Sequence, residues 1–412
     1  MCNKVDARLT SLARMAMNEV TGNILPFWLT HGVDHESGGY YGEAAHDGTP
    51  DRAADKCLIL NARLVWTFAA AYRVLRDDRY LQEANRAYAY FTERFIDPEY
   101  GGAYYSVSSS GAPKEDHKMV YGQAFAIYAL SEYYRATSDE SALDRAIRIF
   151  ELLEAHAFDP VNLGYIELLK RNWEPYEIMP ASTINRGGES VKSMNTHLHL
   201  IEAYTSLLRV WRTPRMEQKV REHLDVMLTR IVNRNIGHYH MFFKADWTPL
   251  GRCVSYGHDI EGSWLMAETC EVLGDDAVAQ AAKPVFLEIA AACLDESIAP
   301  DGSMVYEFNP ESGHVDTNRS WWVQSEAVVG FLNAWQLSGE ERFLTAALQS
   351  FEYIDRCIVD HEHGEWFAYA GEDGRPVDPL AKKISGWKCP YHNARMCFEI
   401  IERHEHMKTK GL

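Results

Sequence analysis

The chain has 412 residues, with 41 basic and 59 acidic side chains and a formal charge of −18. A net acidic chain without a Lys/Arg run is a poor ligand for polyanions, which argues against nucleic acid and anionic membrane surfaces as partners. An apolar fraction of 46% and a charged fraction of 24% fit a globular protein, and the length suits either several domains or one large repeat-built domain.

The first residues, MCNKVDARLTSLARM, lack the apolar stretch of a signal peptide. Apolar periodicity predicts a helix over 8–28. Helix pairs are then predicted at 57–75 with 79–96, 119–137 with 140–157, 191–212 with 215–233, 258–273 with 277–298, and 320–338 with 341–360. A last helix covers about 388–406. No stretch is read as reaching the roughly 18–20 apolar residues needed to cross a bilayer, so no membrane association is expected. The eight cysteines are scattered and form no CxxC pair, the usage of a reducing, cytoplasmic compartment.

Between the helix pairs lie six segments rich in β-formers and turn residues: HESGGYYGEAAHDGTP, DPEYGGAYYSVSSSGAP, DPVNLGYIELLKRNWEP, NIGHYHMFFKADWTP, APDGSMVYEF and DHEHGEWFAYAGEDGRP. Each reads as a short hairpin. Their marker glycines, Gly39, Gly102, Gly164, Gly237, Gly302 and Gly364, are separated by 63, 62, 73, 65 and 62 residues. The first helix of each pair is the more apolar, as in LVWTFAAAY, and its partner carries more charge, as in YLQEANRAYAYFTERF. An inner ring of six buried helices inside an outer ring of six amphipathic ones satisfies both patterns. An open solenoid would need polar capping repeats. Pairing of the N-terminal helix with the C-terminal one instead favours closure. The expected fold is all-α, an (α/α)6 barrel of twelve helices with short hairpins at one mouth, forming a single domain over residues 1–412.

Inner helices that each follow a hairpin run parallel, so their N-terminal ends share one mouth. Those ends carry Asn61 and Arg63; Tyr121 and Gln123; Asn195, His197 and His199; His258, Asp259 and Glu261; Trp321, Trp322, Gln324 and Glu326; and Trp387, Tyr391, His392, Asn393 and Arg395. Aromatic faces and polar groups around one cavity suit a sugar. Packing alone offers readings for single members: a histidine can be a hydrogen-bonded core residue, and Arg63 can pair with Glu261 or Glu326. Adjacent helical residues diverge by about 100°, so one of Trp321 and Trp322 is expected to face the cavity. Histidines titrate near neutrality and serve acid/base chemistry. His258 and Glu261 sit i, i+3, which would let the carboxylate orient the ring. His199 lies one turn from Asn195.

A metal site is not expected: His197 and His199 do not share a helix face and no HExxH occurs, leaving open a ligand set drawn from several helices. GxGxxG, P-loop and GxSxG patterns are absent, so nucleotide cofactors and a serine triad are not expected. A glycosidase would use a carboxylate pair such as Glu261 and Glu326, leaving three histidines without a task.

The segments KMVYGQAFAIYALSEYYRAT, SMNTHLHLIEAYTSLLRVW, SYGHDIEGSWLM, WWVQSEAVVGFLNAW and WKCPYHNARMC closely resemble the cellobiose 2-epimerases of the N-acylglucosamine 2-epimerase superfamily, across essentially the whole chain. The resemblance implies an (α/α)6 barrel. It also implies cofactor-independent epimerisation at C2 of the reducing-end glucose of β-1,4-linked disaccharides, cellobiose to 4-O-β-D-glucosyl-D-mannose and lactose to epilactose. By the same resemblance His392 and His258 are the acid/base pair acting through a cis-enediolate, and His199 contacts the reacting end of the sugar. Arg63 lies beside the carbonyl oxygen, Asn195 and Glu261 are supporting polar groups, and Trp322 and Trp387 aromatic walls; Tyr121 and Glu326, at the same mouth, are expected as further substrate-binding residues. Relatives on the same barrel epimerise or isomerise free mannose and glucose, the alternative reading. The expected partner is a neutral mono- or disaccharide, and the expected state a monomer or weak homo-oligomer. Loops at this mouth, EIMPASTINRGGES among them, would decide whether a second sugar is accommodated.

Overall fold

The computed structural model describes residues 2–182 and 186–410. Six inner helices run over Leu58–Leu75, Val120–Thr137, Met194–Val210, Tyr256–Leu273, Trp321–Ser338 and Tyr391–Lys410. They alternate with six outer ones: Cys2–Glu19, Asp78–Arg94, Glu140–His156, Pro214–Val226, Asp276–Ser297 and Glu341–Tyr353. Each inner helix packs on the next and the sixth packs on the first, while the N-terminal outer helix lies on the sixth inner one. This is the (α/α)6 barrel anticipated from the repeat.

Burial follows the sequence pattern. The first inner helix is buried on all sides from Leu58 to Ala71, whereas Asp78–Arg94 buries the stripe Tyr80, Ala84, Ala87, Tyr90 and Phe91. Four of the inner helices end on a left-handed residue, Arg76, Ser138, Gly274 or Gly339, which turns the chain sharply. Side-chain caps from Asp77, Asp139, Thr213 and Asp275 start the second to fifth outer helices. Three outer helices continue past their α-helical span through π-helical turns, such as Trp28–Gly32 and Met227–Ile231, which carries the first well beyond residue 28.

Two helices correct the reading of apolar runs. Leu58–Leu75 and Asp276–Ser297 have the length and composition of a bilayer-crossing segment. Both are barrel staves, and the first carries Asn61 and Arg63 within its buried length.

The hairpins form a ring of their own. All six marker glycines adopt positive φ. At Gly102 the conformation is enforced twice, since a Cβ there would meet Trp173 at 2.5 Å and Gln123 at 2.9 Å. Strands pair between successive copies: Lys56–Cys57 with Ser106–Val107, Lys118–Met119 with Leu168–Leu169, and Lys192–Ser193 with Phe242–Phe243. A bridge between Ala44 and Ile384 joins the last copy to the first. Each segment is therefore more than a local hairpin: pairing between copies links them into a collar. Buried ion pairs recur in the same places, Lys56 with Asp34, Lys118 with Asp97, Lys192 with Asp159 and Lys383 with Asp360, at 2.7–2.9 Å. Each aspartate also accepts two backbone N–H groups of its own turn. These lysines are therefore committed to the collar.

Candidate active site

The polar N-terminal ends of the inner helices divide into two sets by their place in the helix. The fourth residue of each of the first five is Asn61, Gln123, His197, Asp259 or Gln324, with Asn393 corresponding in the sixth. Most of these hold the collar. Gln123 and Gln324 each clamp a backbone N–H and C=O, at Ala103 and Met304, over 2.8–2.9 Å. His197 accepts the Tyr165 N–H through Nε2 and Asp259 accepts that of Tyr239. Asn393 donates to Glu365, which accepts from Trp366 N–H, while Asn61 donates to the Cys57 carbonyl.

Two residues further on, about 200° around the helix, come Arg63, Phe125, His199, Glu261, Glu326 and, in the sixth helix, Arg395. These converge on the lumen. A cavity of about 520 Å³ opens above them, within the range of small-molecule sites. Six helix N-termini surround it, a field favourable to negative charge.

Arg395 is the hub. Its guanidinium donates to Glu261 at 2.6 Å and Glu326 at 2.7 Å, and also to Glu202 and Tyr391. The carboxylates in turn orient imidazoles. His392 Nδ1 donates to Glu326 at 2.7 Å and His199 Nδ1 to Glu202 at 2.8 Å, which leaves Nε2 as the basic nitrogen of each ring. Burial would raise the Glu202 carboxyl, but Arg395 and His199 outweigh it and hold it at about 2. Burial and the neighbouring carboxylates push Glu261 well above the usual range against the pull of Arg395.

His258 reaches the same cavity from the fourth inner helix, its Nδ1 2.7 Å from Ser255 Oγ. Its ring and that of His392 both lie against the Trp322 indole, with centroids 4.9 and 5.5 Å away. Burial drives all three histidines towards the neutral form. His258 falls to about 3, and His392 falls well below its usual value under the added influence of Arg63 and Arg395. Arg63 is 2% exposed and donates to Tyr121 OH at 2.9 Å. It sits over Phe125 at 4.3 Å and Tyr391 at 4.6 Å. Among the described residues no carboxylate forms an ion pair with it, so this cation is held by aromatic rings and left available to a ligand.

His199, His258, His392, Arg63, Asn195, Glu261, Trp322, Trp387 and Tyr121 all line the cavity. Three sequence expectations need correction, and one packing alternative falls away. Glu326 does not line it; it stands behind His392, where it also accepts from Trp264. Glu261 does not orient His258, because Ser255 takes that nitrogen and Arg395 takes the carboxylate. Both Trp321 and Trp322 reach the cavity, and Arg63 pairs with neither glutamate. Glu202 was missed altogether. Its signal was the i, i+3 spacing from His199, on the helix face that also carries Asn195 and Ser206. The rim residues Arg186, Phe242, Tyr306, Glu307 and Tyr369 were missed because they come from collar and loop segments. Residues 183–185, part of the EIMPASTINRGGES loop, lie outside the described residues.

Glu261, Glu326 and His392 bring potential metal-ligand atoms within 4.8 Å of one another. Arg395 Nη2 already bonds both carboxylates, so a permanent cation occupies the position a metal ion would take.

The profile of the family N-acylglucosamine 2-epimerase (GlcNAc 2-epimerase) matches residues 39–395. A cellobiose 2-epimerase of Bacteroides fragilis is 42% identical over 390 residues, 95% of this chain and 98% of that protein. One of Ruminococcus albus is 39% identical over 93% of this chain and 97% of that protein. The solved cellobiose 2-epimerase of Bacillus thermoamylovorans superposes with a TM-score of 0.90 at 38% identity, covering 96% of this chain and all of that one. The chain belongs to the N-acylglucosamine 2-epimerase family and is an isomerase of the epimerase type.

Proposed function

We propose that this family member epimerises C2 of the reducing-end glucose of β-1,4-linked disaccharides, converting cellobiose to 4-O-β-D-glucosyl-D-mannose and lactose to epilactose. The observation that carries the reading is the placement of two histidines, His258 and His392, against one indole, beside a cation that pairs with no carboxylate among the described residues. Inverting a carbon requires proton transfer on both faces of a planar intermediate. Two imidazoles from separate repeats, the fourth and the sixth, meet that need.

In the opened sugar, Nε2 of one histidine takes the C2 proton as the electron pair moves onto the carbonyl oxygen, giving a cis-enediolate. Arg63 and the helix N-termini stabilise the developing negative charge. Rotation about C2–C3 presents the other face, and the second imidazole, which takes up a solvent proton as negative charge develops on the enediolate beside it, returns that proton to C2. The first histidine releases its proton to solvent, which resets the pair. His199 contacts the reacting end, while Asn195, Tyr121 and Glu261 meet hydroxyls and Trp322 and Trp387 pack on C–H faces. Phe242, Tyr306 and Tyr369 extend the aromatic lining to the rim, which supports a second sugar ring over a free monosaccharide.

Incubation with cellobiose in D2O, followed by NMR, tests the reading. The expected product is glucosyl-mannose deuterated at C2, with exchange lost in folded His258→Ala and His392→Ala. A fructosyl product would make the enzyme an isomerase, and turnover of free mannose alone would favour the monosaccharide reading. Exchange that persists in either variant would overturn the acid/base assignment.

A further inference from the structure

The parallel inner helices create a second opening at their C-terminal ends, which the proposed chemistry does not use. A cavity of about 860 Å³ lies there, larger than the one at the N-terminal mouth. Its lining includes Trp66, Tyr128 and Glu202, the carboxylate that holds His199 and Arg395. Around them, Arg73 pairs with Glu132 and Glu402, Arg209 with Glu268, and Arg403 with Glu399.

Two independent features define what would bind. The first is charge. Among the described lining residues, four arginines face six glutamates. Even with Arg395 balancing Glu202, one carboxylate is in excess. Six helix C-termini add about half a negative charge each. Glu399 registers the imbalance, since burial and the proximity of Glu268 and Glu402 raise its carboxyl although Arg403 bonds it. The second feature is an orphan donor. Trp66 lines the cavity and is 5% exposed, and its Nε1–H has no hydrogen-bond partner. A buried N–H left unpaired is destabilising, and an acceptor placed against it would recover that loss.

A bare cation would leave Trp66 unsatisfied, an anion would meet the excess carboxylate, and a neutral polyol would leave the charge unbalanced. We propose that the C-terminal mouth is a second ligand site for a small protonated amine bearing hydroxyl groups, of the amino-polyol class. Its ammonium is placed between Glu399 and Glu268 and a hydroxyl oxygen accepts from Trp66 Nε1. Trp335 and Tyr128 supply aromatic surface for the carbon chain.

Isothermal titration calorimetry with D-glucamine tests this, alongside D-sorbitol, which lacks the charge, and hexylamine, which lacks the acceptors. Glucamine is expected to bind one to one, at least tenfold more tightly than either control. Glu399→Gln and Glu268→Gln should each weaken it about tenfold, and Trp66→Phe severalfold, in variants whose circular dichroism and melting match the parent. Trp387→Ala, at the other mouth, should leave the affinity unchanged. Equal binding of the three probes, absence of binding, loss of binding in Trp387→Ala, or affinity unmoved in the folded C-terminal-mouth variants would each overturn the proposal.

Discussion

His392 and Glu326 show how one side chain governs another. Glu326 touches no part of the cavity, yet it accepts the Nδ1–H of His392 and so directs the lone pair at Nε2 towards the cavity. Glu326→Gln is expected to lower kcat by roughly 10²-fold with KM little changed. Steady-state kinetics on cellobiose will show it, and a change confined to KM would refute the positioning role. Burial also shifts the histidines themselves. A general base works only when neutral, and lowering its pKa keeps it neutral to lower pH. The acid limb of kcat/KM should therefore lie below pH ~6.5, the unperturbed histidine value. A pH–rate profile with that limb at or above this value would contradict the burial effect.

At the scale of elements, the inner helix is a two-sided part. Its fourth residue grips the collar and its sixth faces the lumen, because two residues on a helix are turned roughly 200° apart. The collar and the site are thus set by one helix rotation. Gln123→Ala removes both hydrogen bonds to Ala103 and leaves a buried N–H and C=O unpaired. A loss of about 2–4 kcal/mol is expected in chemical denaturation. An unchanged midpoint would show that the clamp adds nothing to stability.

At the scale of the whole molecule, the ring closes through its N-terminus. The first outer helix buries Leu9, Leu12 and Ala16, and the segment after it sends the Trp28 Nε1–H to Glu365, the collar residue that Asn393 also holds. Removing residues 2–32 would expose the flank of the sixth inner helix, which carries His392 and Arg395. Such a truncation is expected to lose activity and the cooperative melt, although no cavity-lining residue is removed. Calorimetry should give one transition for the full chain, and a folded, active truncate would contradict closure as the source of order. The same parallel arrangement makes the two mouths electrically opposite, N-termini at one and C-termini at the other.

The barrel was legible in the sequence because period and apolarity are local properties. Six marker glycines at nearly even spacing and a buried-then-amphipathic helix pair leave few alternatives to a closed double ring. The identity of the polar residues at the mouth was legible for the same reason, since helix position can be counted. Their partners were not. Glu261 was assigned to His258 by spacing, whereas it bonds Arg395, which is 134 positions away in the chain. Glu326 was placed in the cavity, whereas it stands behind His392. The sequence alone determined which helices carry charge into the lumen. Only the tertiary structure decided which charge meets which, because pairing across a ring depends on distances between helices that no local pattern encodes.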